Sequence, residues 1–193
     1  MIAVCIATYN HQSFIAQCIE SALSQVCDEP IRIYIGDDSS TDSTSAICKQ
    51  YATKDNRIAY FYREANMGVV NNTIDLYRRI MADGCEYIAM LDGDDYWIDA
   101  HKLQLQIDYL RTHPEYGFIH SAAYEENDGN LSLPPQAPPV GDIRLRYNLL
   151  GAKHTNCTVL FHTGLLDNDS LTSIQQQAFP VLDYPLYGLF AQK

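Results

Sequence analysis

The chain has 193 residues, 47% of them hydrophobic and 19% charged, which is enough for one globular domain with a sizeable core. Its net charge of -11 argues against a nucleic-acid partner, because phosphate backbones are bound by basic surfaces. The six scattered cysteines form no C-x-x-C pair, which argues against a zinc site or a disulfide framework, and no apolar run approaches the ~18 residues of a membrane-spanning helix.

The first half of the chain begins with alternating strand and helix patterns. Residues 2–7 are apolar at every position, which is typical of a strand buried on both faces of a parallel sheet. Residues 14–26 then repeat apolar side chains at helical spacing. A second strand is predicted over residues 31–35, and the Ser/Thr/Asp cluster after it supplies caps for a helix over about residues 44–52.

The same alternation continues to about residue 113. Residues 57–62 predict a third strand, residues 71–82 a third helix, residues 86–91 a fourth strand and residues 99–113 a fourth helix. Short strand–helix units of this kind predict an α/β fold, in which helices cover both faces of a mostly parallel central sheet.

After that point the pattern becomes less regular. Residues 116–124 and 156–162 read as strands, and residues 125–142, with four prolines, read as an exposed loop. Residues 143–152 are interpreted as a short helix. A last helix begins near Asp183 and is still under way where the sequence ends.

Polar clusters follow each of the first four predicted strands. The sequence T-Y-N follows the first, G-D-D the second, N-M-G the third and D-G-D-D the fourth. Ligands of open α/β sheets bind outside the carboxyl ends of the strands. We therefore expect the four clusters to meet in one crevice.

The fourth cluster places Asp92, Asp94 and Asp95 within four positions. Unpaired carboxylates this close raise one another's pKa, whereas a hard divalent cation removes the repulsion and prefers oxygen ligands. Phosphate oxygens of a nucleotide diphosphate would complete its coordination. The alternative is a loop of solvated acids that caps the next helix; the position at the end of a buried strand favours the cation.

These stretches resemble the family-2 glycosyltransferases, which have the GT-A (Rossmann-like) fold. The resemblance rests on C-I-A-T-Y-N-H-Q-S-F-I-A-Q-C-I-E-S-A-L-S-Q, I-Y-I-G-D-D-S-S-T-D-S-T, N-M-G-V-V-N-N and the segment from Y-I-A-M-L-D-G-D-D-Y-W to H-P-E-Y-G, which together cover most of residues 1–120. The sequence G-D-D-Y-W followed by K-L-Q resembles one bacterial branch of the family.

The resemblance implies an inverting transfer of a sugar from a nucleotide-diphosphate sugar, a UDP-sugar being favoured, to an acceptor hydroxyl. It implies Mn2+ or Mg2+ as cofactor, a saccharide or lipid-linked saccharide as acceptor, and bacterial surface polysaccharide synthesis in the cytoplasm or at the inner face of the membrane. One catalytic domain is expected over residues 1–193, with a nucleotide-sugar-binding half at 1–113 and an acceptor-side half at 114–193. Family members usually continue further, so a truncated C-terminus is expected.

For the donor, the resemblance places Thr8 and Tyr9 against the nucleotide base and lets Asp38 hydrogen-bond to the base or the ribose. Each has a structural alternative. Tyr9 could pack at the end of its strand, and Asp37 and Asp38 could cap the following helix. We favour the helix cap for Asp37.

For the chemistry, the resemblance makes Asp92 and Asp94 the D-x-D element, with Asp94 as the metal contact. It implies that Asp95 supports the site or reaches the donor sugar, and that Asp183 is the base that takes the proton of the acceptor hydroxyl. Because Asp183 stands before Pro185, it could equally mark the start of a helix, and the two roles are compatible. Glu125 and Glu126 look loop-borne and are weaker candidates for the base.

Other residues remain open. Trp97, the single tryptophan, is expected either to wall the acceptor site or to pack in the core. His154 is interpreted as structural. Thr73 and Ile74 stand where the family commonly has an arginine and an asparagine, so the chain departs from the family pattern of donor contacts on that side.

Two other functions stay open from the sequence. A sugar-phosphate nucleotidyltransferase would need a Gly-rich, basic loop after the first strand, and A-T-Y-N-H-Q-S has neither feature. A non-catalytic nucleotide-sugar-binding domain would keep the fold and lack turnover.

Overall fold

The computed structural model describes residues 1–127, 130–132 and 155–190. The described strands are β1 (Ile2–Thr8), β2 (Ile31–Asp37), β3 (Ile58–Tyr62), β4 (Tyr87–Asp92), β5 (Phe118–Ile119), β6 (Glu125–Asn127), β7 (Asn130–Ser132) and β8 (Leu160–His162). Six of them form the central sheet in the order β3-β2-β1-β4-β8-β5, and β6 pairs with β7 in a separate two-stranded hairpin.

The described helices lie between and after the strands. They are α1 (Ile15–Leu23), α2 (Thr44–Lys54), α3 (Val69–Ala82), α4 (Lys102–Thr112), α5 (Asn168–Gln176) and α6 (Asp183–Phe190), with 3-10 turns at Asn156–Thr158 and Thr163–Leu165. None of these described helices is long and apolar enough to cross a membrane.

The sheet has a hydrophobic core on each face. Side chains alternate along β1, so that Ala3 and Cys5 join the core under α3, α5 and α6, whereas Val4 and Ile6 join the core under α1, α2 and α4. Because both faces are covered, β1 is buried along its whole length. The predicted α/β arrangement, with helices on both faces of a mostly parallel sheet, is confirmed.

The strand order sets the position of a crevice. The central strand β1 is parallel to β2 on one side and to β4 on the other, and the chain reaches these neighbours in separate excursions. Loops that leave the carboxyl ends of β1 and its neighbours therefore diverge at this point, which is where open α/β sheets bind ligands.

The second half departs from several predictions. The strand predicted over residues 116–124 is limited to β5, an edge strand antiparallel to β8. The loop predicted over 125–142 begins with the β6–β7 hairpin, so Glu126 lies on a strand. The strand predicted over 156–162 opens with a 3-10 turn. The short helix predicted over 143–152 and His154 lie outside the described residues.

Helix α5 was not predicted, and its composition explains why. Leu171 and Ile174 are its buried residues, so the apolar stripe is too narrow to stand out in the sequence. Its start is fixed instead by Asp167, whose carboxylate accepts the backbone N–H of Ser170 at 2.7 Å.

Candidate active site

A pocket of about 550 Å3 opens at the carboxyl ends of β1, β2 and β4. Six of the sequence-predicted site residues line it: Thr8, Tyr9, Asp38, Asp92, Asp94 and Asp183. The expected convergence of separate loops on one crevice is therefore observed for these residues. The seventh, Asp95, lies outside the pocket lining.

His11, in the loop after β1, is a lining residue that sequence reasoning missed. Its Nδ1 shares a hydrogen bond of 3.2 Å with the Thr8 hydroxyl, and its Nε2 lies 3.9 Å from the Asp94 carboxylate. The imidazole thus connects the end of β1 with the acidic loop after β4. The H in T-Y-N-H was visible in the sequence, but a lone histidine gives no signal of such a contact.

The loops after β1 and β2 are tied to each other by side chains. Asn10 adopts a positive φ of 55°, which asparagine tolerates better than most residues. Its amide oxygen accepts the backbone N–H of Thr41 at 2.8 Å, and its own N–H donates to the Ser40 hydroxyl at 3.0 Å. The asparagine of T-Y-N therefore shapes this wall of the pocket through the backbone.

Asp38 holds the loop between β3 and α3 in place. Its two carboxylate oxygens accept the backbone N–H groups of Met67 at 2.8 Å and Gly68 at 2.9 Å. The carboxylate is also part of the pocket wall, next to Tyr9, whose side chain is exposed. Asp38 therefore already has two partners, and a base or ribose would bind to its remaining lone pairs.

Asp37 has a structural role that differs from the predicted helix cap. Its fully buried carboxylate accepts the backbone N–H of Ser40 at 2.9 Å and the hydroxyls of Ser45 at 2.5 Å and Tyr60 at 2.7 Å. The backbone N–H of Thr44, at the start of α2, is accepted by Asp42. The helix-cap prediction for Asp37 is wrong, because its oxygens bond to hydroxyls and to the preceding turn.

Asp92, at the end of β4, is the most perturbed carboxyl of the site. Burial raises its pKa from 3.8 to about 7, and the charges of Asp95, Asp94 and Asp183 add to the rise. The side-chain amide of Asn156 opposes it, with its nitrogen 3.3 and 3.2 Å from the two carboxylate oxygens. A nearby cation would favour the ionised form of this carboxyl.

Asp94 and Asp95 differ in exposure. The side chain of Asp94 is 55% exposed and faces the pocket, whereas Asp95 is partly buried. Burial raises the pKa of Asp95, and a hydrogen bond from the Cys157 thiol lowers it. Asp95 therefore supports the acidic loop from behind, and Asp94 presents its oxygens to whatever fills the pocket.

Asp183 begins α6 and lines the same pocket. Burial raises the pKa of its carboxyl above the ordinary value, and a hydrogen bond from its own backbone N–H opposes the rise. One turn later, Tyr187 is buried and donates its hydroxyl to the amide oxygen of Asn156 at 3.2 Å. Asp183 is thus both the first residue of a helix, as predicted, and a pocket-lining acid, while its role as the base stays a prediction.

Trp97 belongs to the core. It is 8% exposed, and its indole N–H donates to the backbone oxygen of Cys157 at 2.7 Å. The buried ammonium group of Lys102 lies 4.3 Å from the centre of its ring. Of the two open interpretations, the structure supports core packing and places Trp97 outside the pocket lining.

The pocket provides some of the oxygen ligands that a hard divalent cation needs. Asp92 and Asp94 offer oxygen ligands, and a cation would favour the ionised form of Asp92 against the burial and the neighbouring charges that raise its pKa. Within the described residues, no group of three or more His, Cys, Asp or Glu side chains is arranged to hold a metal ion. Phosphate oxygens of a ligand would have to supply the rest.

Comparison with known proteins agrees with this geometry. The family model described as "Glycosyl transferase family 2" matches residues 3–166, which is most of the chain. The chain belongs to glycosyl transferase family 2. The recognition made from the T-Y-N, G-D-D and D-G-D-D segments is therefore confirmed.

Relatives of this family-2 chain include the Escherichia coli protein WfaP, described as UDP-Glc:alpha-D-GlcNAc-diphosphoundecaprenol beta-1,3-glucosyltransferase. The two are 34% identical over 197 residues, covering 98% of this chain and 68% of WfaP. An uncharacterized protein of Mycobacterium tuberculosis is also 34% identical, over 132 residues that cover 66% of this chain. The chain spans 37% of the length of that mycobacterial relative.

Solved structures of similar fold include TarS 1-349 of S. aureus in complex with UDP-GlcNAc. The two structures superpose with a TM-score of 0.68 at 22% sequence identity. The matched region covers 87% of this chain and 47% of the TarS chain. The mannosyltransferase PcManGT of Pyrobaculum calidifontis, solved with GDP-Man and Mn2+, has a TM-score of 0.60 at 16% identity. The matched region covers 92% of this chain and 46% of the PcManGT chain. The family-2 chain thus has the GT-A fold and spans about half of each of these structures.

The positions that depart from the common family pattern lie on α3. Thr73 lines the pocket, while Ile74 is buried in the core. The arginines one turn later point to other partners: Arg78 donates to the Thr172 hydroxyl of α5, and Arg79 bonds to Asp75 within α3. This wall of the family-2 pocket therefore offers neutral side chains from α3.

Proposed function

We propose that the chain is the catalytic domain of a metal-dependent, inverting glycosyltransferase. It transfers a sugar from a nucleotide-diphosphate sugar, with UDP-sugars favoured, to a hydroxyl of a saccharide or lipid-linked saccharide. The enzyme contributes to the synthesis of a bacterial surface polysaccharide, and it acts in the cytoplasm or at the inner face of the membrane. The descriptions of WfaP as a glucosyltransferase acting on a lipid-linked GlcNAc and of TarS as a UDP-GlcNAc complex support this choice of substrates.

One observation carries the proposal: Asp92, Asp94 and Asp183 line a single pocket at the switch point of the sheet. Carboxylates after β4 suit the diphosphate end of a donor, because a cation held there can share their oxygens with phosphate. Inversion at the anomeric carbon requires a base on the face of the sugar opposite the leaving group. We assign this role to Asp183, the third carboxylate of the pocket.

The donor is held by residues of the first two loops. Thr8 and the exposed ring of Tyr9 lie where a flat base could rest against them. Asp38 binds the base or ribose with the lone pairs that the loop amides leave free. Asp92 and Asp94 serve the diphosphate and its Mn2+ or Mg2+, with Asp94 as the direct metal contact, and Asp95 supports the acidic loop from behind.

The transfer step follows from these positions. The acceptor oxygen bonds to the anomeric carbon as the bond from that carbon to the diphosphate oxygen breaks. Asp183 takes the proton from the acceptor hydroxyl, and its raised pKa makes it a better base than an exposed aspartate. When bound at Asp94, Mn2+ or Mg2+ would supply positive charge against the negative charge of the departing diphosphate.

The two halves of the domain have separate roles in our proposal. Residues 1–113 bind the nucleotide sugar, and residues 114–193 form the acceptor side with Asp183. Val181, Leu182 and Leu186 line the pocket together with Asp183 and offer apolar side chains against which the acceptor can pack.

Calorimetric titration with UDP-glucose, UDP-GlcNAc and GDP-mannose, each with Mn2+ and with a chelator, tests the proposal. We expect one UDP-sugar to bind best and its affinity to fall at least about tenfold in chelator. Release of UDP in the presence of a GlcNAc-diphospholipid acceptor then tests transfer. Equal donor affinity with metal and with chelator would refute the metal role of Asp94.

A further inference from the structure

Asn156 lies between the carboxylate of Asp92 and the hydroxyl of Tyr187. Its amide nitrogen is 3.3 and 3.2 Å from the two oxygens of Asp92, and its amide oxygen accepts the Tyr187 hydroxyl at 3.2 Å. The tyrosine hydroxyl fixes the orientation of the amide, because its proton needs an acceptor and the N–H groups then point to Asp92. One amide group therefore links the acidic loop to the helix that begins at Asp183.

The backbone of Asn156 is anchored independently of these contacts. It opens the 3-10 turn Asn156–Thr158, in which the N–H of Val159 donates to the Asn156 oxygen at 3.1 Å. The oxygen of Val159 in turn accepts the N–H of Met90 on β4 at 2.9 Å. Asn156 is thus held by the same strand that carries Asp92, so the amide has little freedom to move away.

We propose that Asn156 is a positioning residue, an inference that rests on the proposed function. It holds the Asp92 carboxylate in the orientation that meets the metal and the diphosphate, and it keeps α6 in a fixed position relative to that carboxylate. A neutral amide suits this role because it offers N–H groups to a crowded carboxylate without a positive charge that would compete with a cation. Tyr187 acts through Asn156 by holding the amide in this orientation.

A merely structural role makes a different prediction. The side chain of Asn156 would then contribute to the free energy of unfolding, and its loss would change nucleotide and metal binding together or not at all. A positioning role changes metal affinity selectively. Partners that orient a metal-binding side chain typically change metal affinity or activity by about 10- to 100-fold.

The test measures the affinity of Mn2+ in saturating UDP, and of UDP in chelator, for wild type, Asn156→Ala, Tyr187→Phe and the double variant. We expect Asn156→Ala to weaken Mn2+ about 10- to 100-fold and to leave UDP affinity in chelator unchanged. Tyr187→Phe should weaken Mn2+ by a smaller factor. The double variant should match Asn156→Ala, because the tyrosine acts through the amide.

Tyr34→Phe is the matched control, since it removes another hydrogen-bonded tyrosine hydroxyl, 2.7 Å from Asp83, in the same hydrophobic core. It should keep the Mn2+ affinity of wild type. The inference is overturned if Tyr187→Phe and Asn156→Ala both keep a Mn2+ affinity within twofold of wild type. It is also overturned if the loss of Mn2+ affinity in the double variant equals the product of the losses in the two single variants. If Asn156→Ala does not fold, Tyr187→Phe decides alone. Wild type that binds neither UDP nor Mn2+ overturns the proposed function, and the inference with it.

Discussion

Gly93 lies directly against Thr8: a β-carbon at position 93 would be 2.6 Å from the Thr8 hydroxyl oxygen. The same atom would be 2.7 Å from Nδ1 of His11. The backbone of the acidic loop therefore approaches the end of β1 more closely than any side chain would permit. This contact explains the glycine of D-G-D-D and joins the two loops into one wall of the pocket.

Gly93→Ala should separate these loops. The added methyl group must displace Thr8 and His11 or shift the backbone that carries Asp92 and Asp94, and overpacking of this kind costs about 1–3 kcal/mol. We expect UDP affinity in Mn2+ to fall at least about tenfold, measured by calorimetry. Gly188→Ala in α6 is the control, because a β-carbon there meets no described neighbour within 4 Å, and it should be neutral or stabilising. Wild-type UDP affinity in Gly93→Ala would contradict the tight contact.

Asp38→Asn should loosen the loop between β3 and α3. The amide has a single oxygen, so it can keep only one of the two bonds. Either the Met67 N–H loses its acceptor, or the Gly68 N–H keeps only the Asn66 amide oxygen at 3.1 Å. We expect the free energy of unfolding to fall by about 1–3 kcal/mol and UDP affinity to fall as the pocket wall moves. Thermal melting and calorimetry measure the two effects.

The control for Asp38→Asn is Asp167→Ala, which removes the carboxylate that accepts Ser170 N–H at the start of α5. Loss of such a cap costs about 1 kcal/mol without touching the pocket. It should therefore lower the melting temperature at constant UDP affinity. If Asp38→Asn behaves like Asp167→Ala, then Asp38 acts on stability alone.

The sequence predicted the first half of the fold well, because its strands are buried on both faces and each is followed by a polar cluster. Strands such as β1 are then apolar along their whole length, and a switch to helical spacing marks the next element. The second half lacks these signals. The edge strand β5 is two residues long and half-buried, and α5 buries a narrow stripe around Leu171, so neither pattern is distinctive.

The candidate site divides in the same way. Asp92, Asp94 and Asp38 were predictable because they directly follow apolar strands, whose ends converge at one edge of a parallel sheet. His11 and Asn156 were not, because their roles depend on the distance between loops far apart in the sequence. A lone polar residue in a loop does not reveal which carboxylate it will meet after folding.

The pKa of Asp92 predicts how stability depends on pH. Because burial raises this pKa from 3.8 to about 7, the folded state binds a proton that the unfolded state releases between these values. The stabilising contribution of protonated Asp92 is therefore complete below about pH 4 and is lost as pH rises through about 7. Each pKa unit corresponds to about 1.4 kcal/mol.

Asp92→Asn removes this dependence. Measured in chelator, its free energy of unfolding should exceed that of wild type by on the order of 1–4 kcal/mol at pH 8, and the difference should disappear near pH 4. Asp94→Asn, which changes an exposed carboxylate, should show a smaller gain. If the free energies of unfolding of wild type and Asp92→Asn ran parallel from pH 4 to pH 8, ionisation of Asp92 would not destabilise the folded protein.

Asp183→Asn should abolish transfer and leave donor binding nearly intact. The amide keeps the size of the carboxylate at the start of α6 but cannot accept the proton of the acceptor hydroxyl. A positioned base contributes about 10²–10⁴-fold to rate, so kcat for UDP release in the presence of acceptor should fall by that factor. In wild type the rate should fall as pH drops below the raised pKa of Asp183, because the protonated carboxyl cannot act as a base.

Asp169→Asn is the matched control for Asp183→Asn, because Asp169 also lies in the first turn of a helix and is exposed to solvent. Both variants lose a carboxylate near a helix N-terminus, which costs up to about 1 kcal/mol of stability. Asp169→Asn should keep the wild-type kcat and pH profile. An active Asp183→Asn would place the base elsewhere, and a variant that loses both UDP-sugar binding and transfer would make Asp183 a donor-binding residue. Loss of transfer with intact donor binding is the result that a base on this wall of the pocket requires.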